Sequence, residues 1–388
     1  MKTRSVQALK HFFHQSQSIG LVLLACTALS LLITQWGNTG LAYAQFWHLS
    51  AGQPGAHGFQ WGYLHLPNQL IDWINDFAMA GFFFLAGMEV KRELTMGELS
   101  STNKAILPIA AALGGMIVPA ILYIQFVRGT SYSSGWAVPM ATDIAFTLGV
   151  MAILGKRVSH SLKVFVTALA IIDDLGAILV IALFFGSSLS IGYLLLSAVL
   201  MAVLYQYQKR AKQPDTWFWC LGLLLWYAIF NSGIHATVSG VLLALMVPKK
   251  YLNQYEAKWH LPIYFLVVPL FALANTSIVI PNSFLTLLQA PFSWGIMVGL
   301  SLGKPLGIGL ATWIMVTRKW AVLPRGVKPP HILGAGILAG IGFTMSIFMA
   351  NLAFSNPTDL DTAKIAILLA SLFSMAIGYL WLKRIPLN

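Results

Sequence analysis

The sequence predicts an all-α polytopic membrane protein with twelve transmembrane helices. Three observations carry that fold class. Of 388 residues, 57% are hydrophobic and only 9% charged, with a mean hydropathy of +0.74, whereas soluble domains carry about 25% charged residues. Such a chain has too little polar surface to cover a water-soluble globule and is too hydrophobic to stay disordered. Apolar stretches recur at the length of about 20 residues that a helix needs to cross the hydrocarbon. The cations, finally, gather in alternate intervening segments.

Taken in order, the stretches are 19–36, 70–90, 105–126, 136–155, 162–185, 190–207, 216–232, 234–247, 262–280, 292–316, 332–354 and 364–382. The first reads as a retained span. Ala42-Tyr43-Ala44 lies too far beyond it for a signal-peptidase site, and Leu23-Leu24-Ala25-Cys26 sits inside the run rather than at its end. Between the first two spans, segment 37–69 holds two aromatic, partly alternating stretches, Gln45–Leu49 and Phe59–Leu66, around Gly52-Gln53-Pro54-Gly55. These predict either a loose loop or a β-hairpin. A hairpin edge pairs readily with a second copy, so a homodimer is expected. The eighth stretch is short and follows its predecessor almost directly, which suggests a broken or re-entrant segment. Cys26 and Cys220 fall inside apolar runs and read as small buried hydrophobes, with no disulfide framework, metal centre or cofactor implied.

With the N-terminus inside, 21 of the 24 Lys and Arg residues fall in cytoplasmic segments. Arg128 and Lys364 are then the outer cations and Lys304 lies within a span. A wrong span count would scramble this positive-inside alternation. Both termini are therefore expected in the cytoplasm. The net charge of +12 is topological, and membrane lipid rather than nucleic acid is the expected partner.

Charged groups inside the spans point to function, since each costs about 2.5–3.5 kcal/mol at the bilayer centre. Asp72 and Asp76 lie one turn apart in the second span. Asp72 reads as interfacial, and Asp76 either does the same or lines a funnel from the outside. Asp173 and Asp174 are adjacent in the middle of the fifth span, and their side chains diverge by about 100°. Burial and mutual repulsion favour protonation of such a pair, and its hard oxygens suit alkali cations. The pair therefore predicts exchange of protons for a small cation. Lys304, in Gly303-Lys304-Pro305-Leu306-Gly307, resembles a phosphate loop only superficially, because Pro305 replaces the Ser/Thr and the glycine spacing is wrong. An embedded aspartate is its natural partner.

Two spans read as interrupted helices. Pro139 removes a backbone hydrogen bond shortly before Thr142-Asp143 in the fourth. Gly334, Gly336, Gly340 and Gly342 crowd the eleventh, where their spacing is also that of helix packing. Spans 3–5 and 10–12 begin on opposite sides of the membrane, so the breaks fall in inverted repeats. Opened helices leave partial charges at their ends, which Asp143 and Lys304 are placed to neutralise.

Several segments together resemble the NhaA family of sodium/proton antiporters: Ala141-Thr142-Asp143-Ile144-Ala145-Phe146, Ala170-Ile171-Ile172-Asp173-Asp174-Leu175-Gly176-Ala177, Gly303-Lys304-Pro305-Leu306-Gly307 and Gly340-Ile341-Gly342-Phe343-Thr344-Met345-Ser346-Ile347-Phe348. Gly87-Met88-Glu89-Val90-Lys91-Arg92-Glu93-Leu94 and Pro269-Leu270-Phe271-Ala272-Leu273-Ala274-Asn275 fit the same pattern. That family is itself among the examples from which the rule of paired broken helices at a midplane site was drawn.

The resemblance implies electrogenic, pH-regulated Na+(Li+)/H+ antiport by alternating access in the bacterial inner membrane, serving sodium and pH homeostasis. Asp174 is then the principal ion ligand and proton carrier, Asp173 assists or pairs with Lys304, and Thr142 and Asp143 contribute at the crossing. Core helices are expected in 105–185 and 292–382 of a single transporter domain, 1–388, with a panel and dimerisation part in 19–90 and 190–280. The family's pH sensor maps onto Glu89, Arg92, Glu93, Glu256 and His260, where ordinary interfacial ion pairing is the alternative reading. Ala257 replaces a histidine of the family pattern. His235 also matches, and a packed, hydrogen-bonded histidine is the equal alternative reading. Two other functions use similar groups: a cation channel, and an intramembrane aspartyl protease built on Asp143 and Asp173. The protease's Tyr-Asp and Gly-x-Gly-Asp contexts are absent, so no enzyme is expected.

Overall fold

The structure, a computed structural model, describes residues 16–52, 58–62, 64–186, 188–210, 213–280 and 287–385. Lys2, Arg4, Lys10 and Lys212 of the basic segments, and Gln53–Gly55 of the expected hairpin, lie outside the described residues.

The chain is mostly helical. In order it forms α1 (Ser16–Thr34), α2 (Gly37–Trp47), β1 (Gly58–Trp61) and β2 (Leu64–Pro67). There follow α3 (Leu70–Met96), α4 (Thr102–Val127), a 3-10 segment (Ser131–Met140), α5 (Ile144–Ile153), α6 (His160–Phe184), α7 (Ile191–Arg210) and α8 (Thr216–Phe230). The last are α9 (Val238–Met246), α10 (Lys249–Asn275), α11 (Pro291–Thr317), α12 (Pro329–Ala339), α13 (Phe343–Ala353) and α14 (Pro357–Arg384). Among the described residues, eight helices are long and apolar enough to cross a membrane, or nine if α12 and α13, bent by 48°, are one span. Three of the twelve expected spans, α1, α8 and α9, are shorter.

Several boundaries differ from the sequence reading. The ninth span begins near Lys249 rather than Pro262, and the twelfth at Pro357 rather than Lys364. Hydropathy ends a span at its first charges, whereas the backbone continues its hydrogen bonds through them. Lys364 is consequently not an outer-loop cation but a helical residue with 5% of its surface exposed. The cysteines are also placed differently: both are free, Cys26 is half-buried and Cys220 exposed, since a helix face turned to hydrocarbon need not be covered by protein. Gln45–Trp47 close helix α2 instead of forming a strand. The hairpin lies wholly in the second aromatic stretch, with Phe59 opposite Leu66 and Trp61 opposite Leu64.

Three spans carry π-helical turns that no composition signal announces: Trp73–Ala78 in α3, Ile263–Val267 in α10 and Gly299–Gly303 in α11. Such turns are rare and frequent at functional sites. Asp76 lies in the first, and Lys304 directly follows the third.

The chain divides into two compact units. Unit 1 comprises residues 1–24, 98–177 and 280–388. Its centre is the packing of α11 on α4, where small residues at four-residue spacing bring the two backbones together. A Cβ on Gly307 would lie 2.1 Å from the carbonyl oxygen of Gly114, and one on Gly303 would lie 2.9 Å from Cα of Pro119. Gly336 and Gly340 of the α12 segment face Pro305 and the Leu300 carbonyl in the same way. The eleventh-span glycines therefore pack, and the helix also breaks among them. Unit 2 comprises residues 25–97 and 178–279. There α9 lies against α3 at Gly240, whose Cβ would meet the Ala80 carbonyl oxygen at 2.0 Å. Lys91 donates to the carbonyls of Leu245 and Val247 at 2.6 and 2.5 Å, closing the end of α9 with a cation.

Candidate cation and proton site

Both interruptions lie in unit 1, and their loose backbone groups satisfy one another. The fourth span runs as a 3-10 segment to Met140, is extended at Ala141 and Asp143, and resumes as α5. The eleventh stops at Ala339 and resumes at Phe343. An α-helix leaves its last carbonyls and first N–H groups without partners, and in hydrocarbon each such group costs several kcal/mol. Here the Leu338 carbonyl accepts from the Thr147 hydroxyl at 3.1 Å, and the Ile341 carbonyl from the Asp143 N–H at 2.7 Å. On the other side, Ser346 donates to the Val138 carbonyl at 2.8 Å. Ser371 of α14 accepts from the Phe343 N–H at 3.1 Å.

Asp143 closes two helix starts. Its Oδ1 accepts from the Phe146 N–H at 3.1 Å, and its Oδ2 from the Thr344 N–H and hydroxyl at 3.2 and 2.5 Å. A carboxyl group taking three hydrogen bonds caps both helix starts and satisfies N–H groups that have no partner within their helices. The sequence reading expects both Asp143 and Lys304 to neutralise such ends. Ser371 escaped notice because a lone serine in an apolar span carries no distinguishing signal.

Lys304 lies against Asp173 and Thr142. With none of its surface exposed, it forms an ion pair with Asp173 Oδ2 and donates to the Thr142 hydroxyl at 2.8 Å. That hydroxyl has one proton to give, either to Asp173 Oδ2 at 2.5 Å or to the Ala339 carbonyl at 3.0 Å. The other oxygen of Asp173, Oδ1, is buried with no hydrogen-bond partner. Asp174 is 6% exposed, and its charge reaches Lys304. The arrangement thus collects two acidic groups, one cation, a hydroxyl and a free carboxylate oxygen in a water-poor setting. Asp173 Oδ1 and the Asp174 carboxyl are hard oxygens of the kind that hold an alkali ion.

The remaining candidates lie in unit 2. Arg92 pairs with Glu93 and with Glu256, each at 2.9 Å. Glu89 shares the electrostatic surroundings of these three. His260, one turn from Glu256 on α10, packs its ring on Tyr264 with centroids 4.7 Å apart. Asp76 is 3% exposed, and its Oδ1 stands 3.4 Å from His235 Nε2. On the other side of the ring, His235 Nδ1 lies 2.8 Å from the Thr237 hydroxyl and 3.4 Å from the Thr237 N–H. The sequence singled out both residues without joining them, since 159 positions separate them.

Comparison with known proteins gives a consistent picture. The family described as Na+/H+ antiporter 1 matches residues 10–382. The chain is 43% identical to the Na(+)/H(+) antiporter NhaA of Dechloromonas aromatica, over all of this chain and 98% of that protein. It is 42% identical to Na(+)/H(+) antiporter NhaA 1 of Klebsiella pneumoniae, over 98% of this chain and 97% of the relative. Among solved structures, the sodium proton antiporter MjNhaP1 of Methanocaldococcus jannaschii at pH 8 is similar in fold, with a TM-score of 0.53 and 14% identity over 95% of this chain and 92% of that one.

Proposed function

Since the chain belongs to the Na+/H+ antiporter 1 family, we propose that it exchanges Na+ or Li+ for H+ across the bacterial cytoplasmic membrane. The observation that carries this reading is the buried Asp173–Lys304 pair beside Asp174, with Thr142 between the two broken helices. Sodium is cargo here. It takes the free oxygen of Asp173 together with the carboxylate of Asp174, and Lys304 must then release Asp173. Asp174 yields one proton and the Asp173–Lys304 pair a second. Two protons against one monovalent cation leave a net charge movement in each cycle, so the exchange is electrogenic.

Asp143 caps and compensates the two helix starts. Alternating access turns on the two breaks, with twelve spans, inverted repeats in spans 3–5 and 10–12, and both termini in the cytoplasm. The core comprises 105–185 and 292–382, and the panel 19–90 and 190–280, with the hairpin joining two protomers. Glu89, Arg92, Glu93, Glu256 and His260 form the pH-responsive mouth, and the Asp76–His235 pair belongs to the outer funnel. The buried oxygens, the opposed helix ends and the charge alternation of the loops support these assignments.

The direct test is Asp174→Asn in everted membrane vesicles. Sodium-induced proton movement should vanish while the inserted amount of protein stays at the wild-type level. Wild-type exchange in that variant would remove Asp174 from the cycle and the reading with it.

A further inference from the structure

At one end of unit 1, the beginnings of α4 and α6 and the loop between α11 and α12 enclose a cavity of about 450 Å³ that the transport site does not use. Its inner wall is apolar, formed by Leu107, Val164, Phe165 and Ala168. Its polar lining is His160, Ser161 and Arg325. The segments 155–163 and 317–329 that border it hold seven Lys and Arg and no acidic residue. Cation entry calls for acidic walls, and this cavity has the opposite charge.

The loop itself has an interfacial character. Trp320 and Val322 are 63% and 87% exposed and lie between Arg318-Lys319 and Arg325. Among the described residues Lys319 is the one non-glycine with a left-handed backbone, φ 60°, in the turn that leads into Trp320. Exposed apolar side chains flanked by cations are the pattern of segments that sit in the headgroup layer.

We propose that this cavity binds an anionic phospholipid, with the phosphate held at Arg325 and His160 and the upper acyl chain against the Val164–Ala168 face and Val322. The cationic rim supplies charge complementarity to the headgroup. A soluble anion would satisfy Arg325 but leave the inner wall bare, which favours the lipid.

The test uses the purified full chain in neutral detergent, followed by thermal melting. Phosphatidylglycerol should raise the melting temperature saturably, while phosphatidylcholine and potassium phosphate should not. Arg325→Gln should increase the half-saturating phosphatidylglycerol concentration about fivefold, the worth of one cation near an anionic lipid. Arg318→Gln, outside the lining, should change it less. Val322→Asp at a position that bears no folding load should also weaken the response, by repelling the headgroup. Phosphatidylcholine as effective as phosphatidylglycerol, or an unchanged titration in both lining variants, would overturn the proposal. So would potassium phosphate matching the lipid, which would leave an inorganic anion as the ligand.

Discussion

Lys304 and Asp173 are 0% and 1% exposed, and their energetics follow from that. Bringing two charges out of water is costly, and their attraction offsets the cost only while both remain. Lys304→Ala would leave Asp173 an unpaired buried acid whose other oxygen already has no partner. Unfolding stability should fall by about 3–5 kcal/mol, read as a lowered melting temperature. Adding Asp173→Asn to Lys304→Ala should restore much of the loss, because the stranded charge is gone. An unchanged melting temperature in the single variant would mean that the pair carries no structural weight. At this scale the sequence was informative about charges and nearly blind to neutral partners, of which Thr142 alone was named, through the family resemblance. A lysine or aspartate in hydrocarbon stands out by its cost, so Asp143, Asp173, Asp174 and Lys304 were all visible. Ser371 and Thr147, which complete the crossing, have hydroxyls that any span tolerates.

For whole elements the decisive feature is how closely α4 and α11 approach. A Cβ on Gly307 would overlap the Gly114 backbone at 2.1 Å, while one on Gly309, two positions on, has nothing within 4 Å. Gly307→Ala should therefore destabilise the protein by about 1–3 kcal/mol through overpacking. Gly309→Ala should be neutral or stabilising by about 0.5–1 kcal/mol through helix propensity. Equal melting temperatures for the two variants would contradict the backbone contact. The two breaks were legible because Pro139 and the Gly334–Gly342 cluster disturb a helix by known means. The π turns were not, since a shift from i+4 to i+5 bonding needs no particular residue. Span ends moved for a related reason: the backbone ladder ignores the polarity change at Lys249 or Lys364 on which a hydropathy reading depends.

For the molecule as a transporter, the question is whether protons act at the ion site, at the Arg92–Glu93–Glu256 cluster, or at both. If sodium displaces protons from its own ligands, binding linkage fixes the slope of log KM against pH at minus the number displaced. One proton from Asp174 and one from the Asp173–Lys304 pair give a slope approaching about −2 on the acid side and zero once both are gone. The sign is that apparent KM for sodium falls as pH rises, by up to about a hundredfold per unit. Sodium titrations in proteoliposomes over a pH series measure it directly. Asp173→Asn, if still active, should flatten the slope to about −1, because one exchangeable proton is lost. Glu256→Gln removes an acceptor of Arg92 and touches no sodium ligand. It should move the pH at which the maximal rate switches on and leave the KM slope intact. A KM independent of pH, with only the maximal rate changing, would place all proton control in the cluster and none at the aspartates.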